Sequence, residues 1–224
     1  MDRPFLEFLE PSKGKSSAII LITGYISENN FDEQAERQWR QALRQAGWNG
    51  SIYHLWWESG DDNWKKFRCN YRWEQIKSKA KRVGKDYLPN LVSTIPEKAI
   101  SLIGYSLGVR IIYYGMEYWD SSKKVLKDTV FLGGAVPRDK AWGSKTSSLT
   151  GRIVNVYNSK DSKLSREYKA GELLRNSPCG LKPIKDQHYK IINVDATSLI
   201  GTSSHSDKHY LRVLRETAGK QLWL

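Results

Sequence analysis

The sequence predicts an α/β protein, with a mostly parallel central sheet of about six or seven strands and helices on both faces. Two observations along the chain carry this, and a third is local. Unbroken apolar runs such as Ala18-Ile-Ile-Leu-Ile-Thr23 mark strands buried on both faces of a parallel sheet. Segments of helical pattern alternate with them, and strand–helix–strand repeats require right-handed crossovers that cover the sheet on both sides. Between Ala99 and Gly108 an apolar run stops at Gly104-Tyr105-Ser106-Leu107-Gly108, and a helical pattern starts straight after it. That stretch reads as strand, tight turn and helix, with a serine at the apex.

Taken in order, Pro4–Leu9 is a short edge strand before the turn Pro11–Gly14, and Ala18–Thr23 is the first buried strand. Asp32–Ala46 reads as a helix closed by Gly47. Ser51–Trp57 is the next strand, Ala99–Tyr105 the third and Thr129–Val136 the fourth, with Gly133-Gly134 allowing close backbone approach at its end. Leu107–Trp119 is the helix after the serine turn, and Arg138–Thr150 reads as loop. Arg152–Tyr157 is the fifth strand, followed by a helix over Ser165–Arg175. Tyr189–Val194 is the last strand and leads through Gly201–Ser204 to a C-terminal helix from about Asp207 to Ala218.

The serine turn carries the chemistry. A nucleophilic serine must stand clear of the sheet, so the backbone turns sharply there. Glycines two before and two after let strand and helix pass each other. A serine hydroxyl is a weak nucleophile until a base takes its proton. Ser106, Asp161 and His205 each follow a predicted strand, and in a parallel sheet the loops at the carboxyl ends of strands gather along one rim. His205 can accept and return a proton near neutral pH, while Asp161 would fix its tautomer and steady the imidazolium. The N–H groups of Tyr25 and Leu107 are the candidate oxyanion hole, each donor worth about 3 kcal/mol.

Rivals exist for two of these roles. His209, one turn beyond His205, competes for the base, whereas His54 falls inside a strand and His188 precedes one, which suits structural or surface roles. Asp139 is an alternative acid after the fourth strand, and Asp195 suits a turn cap. His205 and His209 could in principle share a metal, but no third ligand is evident and there is no His-Glu-x-x-His pattern. No metal or organic cofactor is therefore expected.

The chain's 224 residues fit one domain. Its two cysteines, Cys69 and Cys179, are too few for a disulfide framework and lack metal-ligand spacing. The first residues lack the layout of a signal peptide, and no stretch is long enough to span a bilayer, so a cytoplasmic protein is the default expectation. The net charge is +12, and nine Lys or Arg lie between Trp64 and Ser93 against Glu74 and Asp86, with Trp64, Phe67, Tyr71 and Trp73 threaded among them. This segment is either a crossover helix with a basic outer face or a lid over the site. Such charge suits an anionic membrane surface in peripheral contact; nucleic acid has no recognisable motif here to support it.

Several blocks together resemble the α/β-hydrolase-like family named domain of unknown function 726, whose eukaryotic members include transmembrane and coiled-coil domain proteins. They are Ile22–Ser27, Leu55–Glu58, Leu102–Arg110, Val130–Val136, Gly151–Tyr157 with Asp161, and Asn193–Asp195 with His205 and Tyr210. Ser204 stands where the family usually has glycine, and the spacing from His205 to Tyr210 is longer than in relatives. The resemblance implies an α/β-hydrolase fold and a serine hydrolase, with lipid or lysophospholipid esters as substrates. A thioesterase or amidase would use the same residues, and a non-catalytic module docking on a membrane or polyanion is the reading from a different class.

Overall fold

The computed structural model describes residues 3–24, 31–59, 69–168 and 176–217. Among the described residues seven strands form one sheet: β1 Phe5–Glu10, β2 Ser17–Ile22, β3 Ser51–Trp56, β4 Ala99–Tyr105, β5 Val125–Leu132, β6 Ile153–Tyr157 and β7 Ile191–Asp195. Their spatial order is β1-β3-β2-β4-β5-β6-β7. Only β1 runs antiparallel, along β3 at the sheet's edge. The remaining pairs are parallel, so every carboxyl end from β2 to β7 meets one rim. This is the α/β-hydrolase fold, set up by the alternation of apolar strands and amphipathic helices.

Helix α1, Glu33–Gln45, begins where the Asp32 carboxylate accepts the Ala35 N–H at 2.8 Å. It buries Trp39, Ala42 and Leu43 against one face of the sheet, beside the C-terminal helix Asp207–Thr217 and its Leu211 and Leu214. The opposite face carries α2 Cys69–Arg82, a π-helical turn Val83–Tyr87, α3 Leu88–Thr94 and α4 Gly108–Glu117. Leu88, Val92, Leu102, Ile111 and Ile112 are buried there, and each fully buried side chain of this kind contributes about 1.5–3 kcal/mol.

Four expectations need correction. β5 starts at Val125, ahead of the predicted Thr129, and ends at Leu132; its first half alternates with exposed Lys127, which hides it from a search for apolar runs. The predicted loop 138–150 contains a short helix, α5 Trp142–Lys145, and a 3-10 turn, Thr146–Ser148, too brief to show periodicity. The predicted helix from Ser165 is a π-helical turn over Leu164–Tyr168, and its continuation lies outside the described residues. His205 does not follow β7 directly, because helix α6 Thr197–Ile200 intervenes before the C-terminal helix α7. The basic segment expected as crossover or lid forms a crossover where it is described (69–94), while its first part, 60–68, with Trp64 and Phe67, falls outside the described residues.

Candidate active site

Ser106 is the only described non-glycine residue at positive φ, at 55°. Such a conformation costs about 1–3 kcal/mol and persists only where the surroundings over-determine it. Here they do. The Ser106 N–H donates to Leu132 O at 3.0 Å, and Ser106 O accepts N–H groups from Ala135 at 2.9 Å and Val109 at 3.3 Å. The end of β5 thus holds the elbow from both sides. A Cβ at Gly108 would collide with Ile22 O, so only glycine lets α4 pass the end of β2. A Cβ at Gly24 would sit 2.7 Å from Ser106 Cβ and 3.2 Å from its Oγ. The backbone leaving β2 therefore passes directly against the hydroxyl.

The structure brings Ser106, His205 and Asp161 together. His205 Nε2 lies 3.0 Å from Ser106 Oγ, and its Nδ1 lies 2.6 Å from Asp161 Oδ2. The carboxylate is fully buried and the imidazole nearly so, at 0% and 5% exposure. Burying a carboxylate is costly unless it is paired. Asp161 meets that cost with His205 on one oxygen and the Leu164 N–H on the other at 2.9 Å, which makes it the cap of the π-helical turn. The loops bearing acid and base are also stapled together: the Asn158 amide donates to Thr202 O at 2.9 Å, and the Ser162 N–H donates to Ser203 O at 2.9 Å.

Tyr105 is a participant that sequence reasoning missed. Its ring stacks on the His205 imidazole with centroids 5.1 Å apart and planes 21° apart, and it rests in turn against Tyr210 at 5.8 Å. Burial raises the Tyr105 hydroxyl well above its ordinary range, helped by the neighbouring Tyr210, Asp207 and Asp161. Tyr210 is raised in the same direction, again by burial first. Asp207, just past His205, accepts the Trp39 Nε1–H at 3.2 Å and so anchors the base loop to α1. Within the sequence Tyr105 stood only as the variable residue of the glycine-serine turn, and nothing in that pattern signals a stack.

The other candidates lie elsewhere. The histidine at Ser106 is His205, and His209 follows it one turn into α7. His54 is buried in β3, its Nε2 3.1 Å from Thr23 Oγ1 and its ring stacked on Phe31 at 3.9 Å; burial lowers its pKa to about 4. His188 contacts Thr146 Oγ1 at 3.2 Å. Asp139 is partly exposed near Lys185, and Asp195 accepts the Thr197 N–H at 2.9 Å as a turn cap. Leu107 precedes α4, where backbone N–H groups lack intrahelical acceptors. Tyr25, the second oxyanion candidate, lies outside the described residues. Cys179 is a free thiol, and burial pushes it up to about 12. Among the described residues no group of three or more His, Cys, Asp and Glu could hold a metal ion.

The chain is 31% identical over 106 residues to an uncharacterised membrane protein of Schizosaccharomyces pombe, covering 46% of this chain and 14% of that protein. It is 27% identical over 140 residues to the transmembrane and coiled-coil domain-containing protein STS1 of Oryza sativa subsp. japonica, covering 60% of this chain and 21% of that one. The matched regions thus take in about a fifth or less of these relatives' length. Among the described residues no helix is long and apolar enough to cross a membrane. Aspergillus fumigatus lipase B shares the fold, with a TM-score of 0.52 and 14% identity over 89% of this chain and 50% of its own. An alpha-beta serine hydrolase homologue from Coxiella burnetii aligns with a TM-score of 0.48 and 15% identity over 98% and 90% of the two chains. Residues 68–217, which include Ser106, Asp161 and His205, match the family described as "Protein of unknown function (DUF726)", and the chain belongs to that family.

Proposed function

We propose that the protein is a serine hydrolase that cleaves carboxylic esters through an acyl-serine intermediate. The observation that carries this reading is the continuous hydrogen-bonded chain from Ser106 Oγ through His205 to the buried Asp161. As Oγ attacks the ester carbon, its proton passes to His205 Nε2 and the carbonyl electrons move onto oxygen. The Leu107 N–H stands beside that oxygen at the head of α4, with Tyr25 the proposed second donor. Collapse expels the alcohol, which takes the proton from Nε2; water then repeats the sequence and releases the acid. Asp161 accepts the Nδ1–H and steadies the imidazolium through both halves of the reaction.

Lipid esters are the proposed substrates. The curated relatives are named as membrane proteins, which directs the search toward esters that reside in membranes. Thioesters and amides could use the same three residues and belong in the same screen. The test is labelling by a fluorophosphonate probe, with Ser106→Ala as control, followed by turnover of short-chain esters, lysophospholipids, thioesters and amides. Labelling of wild type alone supports the reading. Equal labelling of both proteins, or none of wild type, removes it.

A further inference from the structure

The helices covering the sheet on the side of α4 carry a seam of ammonium groups laid over aromatic rings. On α2 and the turn after it, Lys77, Lys81 and Lys85 recur every four residues. Their Nζ atoms lie 5.8 Å from the Trp73 ring centroid, 5.4 Å from Tyr114 and 5.0 Å from Tyr118 respectively. From the other side of α4, Lys140 reaches Tyr113 at 5.1 Å and Tyr114 at 5.5 Å, and Lys145 reaches Tyr113 at 5.1 Å. Two separate stretches of chain, α2 with Lys81 and the 140–145 segment with Lys140 and Lys145, therefore bring three ammonium groups to one pair of tyrosines, a convergence invisible in the sequence.

A ring attracts an ammonium through its quadrupole but carries no net charge, so the contact leaves the lysine's field intact. Two of these lysines also meet carboxylates: Lys77 with Glu74 at 2.6 Å and Lys145 with Glu117 at 3.0 Å. The ammonium groups of Lys81, Lys85 and Lys140 rest on rings. At 1.5 Å per residue, the eight-residue reach from Lys77 to Lys85 spans roughly 12 Å, about the Debye length at 0.1 M salt. The charges thus act together on one partner. That partner is not set up to be read by base stacking, because Tyr113 is 6% exposed and lies under its lysines. Tyr118 is 44% exposed beside Lys85, an aromatic ring and hydroxyl beside a cation, as at a lipid headgroup boundary.

We infer that the face made by α2, α4 and the 140–145 segment is a docking surface for anionic lipid headgroups. Lysines suit this role as point charges that need no fixed bidentate geometry. The inference stands apart from the hydrolase reading and is tested separately. The 224-residue chain is sedimented with phosphatidylcholine vesicles, with and without phosphatidylserine, and turnover of a soluble short-chain ester is followed in parallel. Each lysine near an anionic surface contributes about fivefold in partitioning. The double variant Lys81→Glu/Lys140→Glu should therefore bind phosphatidylserine vesicles more than about twentyfold more weakly. Lys13→Glu/Lys15→Glu, with the same change in net charge on the β1–β2 turn, should bind nearly as wild type. Lys81→Gln/Lys140→Gln, a milder change, should fall between them. Melting curves confirm that each variant is folded, and soluble ester turnover should stay unchanged in all three. Equal weakening by the two reversals would overturn the inference, as would wild type that ignores phosphatidylserine. Tighter binding to an oligonucleotide than to vesicles, lost with the same two lysines, would assign the face to nucleic acid instead.

Discussion

Tyr105 should govern how well His205 works as a base. During attack the imidazole becomes an imidazolium within a pocket where it is 5% exposed, and the Tyr105 ring covers one of its faces at 5.1 Å. A cation against an aromatic face is worth about 0.5–1 kcal/mol at exposed sites and about 2 when desolvated. The near-complete burial puts His205 at the upper end. Tyr105→Leu should therefore slow acylation by up to about thirtyfold, since about 1.4 kcal/mol is tenfold. The charge develops only on the way to the transition state, so the loss should fall on kcat with KM little changed. Tyr105→Phe keeps the ring and discards only the hydroxyl, so it should stay within a few-fold of wild type. The assay is single-turnover acylation by an activated short-chain ester, alongside a melting curve for each variant. A Leu variant as fast as wild type would refute the reasoning. So would a Phe variant as slow as Leu, which would move the effect from the ring face to the hydroxyl.

Three further outcomes follow from the same geometry. Asp161→Asn should still fold but lose about four orders of magnitude in turnover, because the amide favours the wrong imidazole tautomer; near-normal rates would reassign the acid. Gly24→Ala puts a methyl 2.7 Å from Ser106 Cβ, and a displacement of the nucleophile approaching 1 Å costs about a hundredfold; unaltered turnover would mean that the backbone leaving β2 gives way instead. Burial lowers the His54 pKa to about 4 in the folded protein, against 6.5 for an ordinary imidazole, so the unfolded chain binds the extra proton first. Stability should hold above pH 6.5 and decline from there to about 4, by about 3 kcal/mol in total. Glu7, half-exposed at 3.7 Å from Nδ1, is too well solvated to reverse that sign. His54→Gln should flatten this part of the stability profile in urea titrations, and an unchanged slope would shift the acid sensitivity to other groups.

The features legible in the sequence were those fixed by local rules. Ala99–Tyr105 was read with its observed ends, because a strand buried on both faces is apolar from end to end. The Asp32 cap of α1 and the strained serine turn carry residue types that few other conformations demand. The serine turn, the order Ser, Asp, His and the topology together predict that Ser106, Asp161 and His205 meet, because parallel strands share one rim and each residue lies in a loop on that side. What could not be read depends on approach between distant segments. The stack of Tyr105 on His205 joins residues a hundred positions apart, and no spacing encodes the tilt of two rings. Apolar patterning predicts only the later part of β5, because its first residues alternate between exposed and buried while its later residues are buried on both sides.

The net charge of +12 tempts one to draw it around the reaction, but among the described residues the lysines laid over rings lie on α2, the turn after it and the 140–145 segment. His205 is flanked by Asp161, Ser106 and the ring of Tyr105, with Asp207 tied back to Trp39. Lys77, Lys81 and Lys85 of the basic segment instead lie along α2 and the turn after it, over the rings of Trp73, Tyr114 and Tyr118. The division has a physical logic. An ammonium close to His205 would oppose the imidazolium that catalysis must form, since like charges destabilise one another most where water is excluded. Charge spent on holding a partner is therefore best kept on a flank, where solvent and rings moderate it. On this argument, moving a lysine toward the site should cost turnover while leaving vesicle binding intact, the reverse of the pattern expected for Lys81→Glu/Lys140→Glu. Ser203→Lys, in the loop stapled to the Asp161 turn, makes that comparison directly. Slower acylation with undiminished binding to phosphatidylserine would support the separation, and loss of both together would refute it.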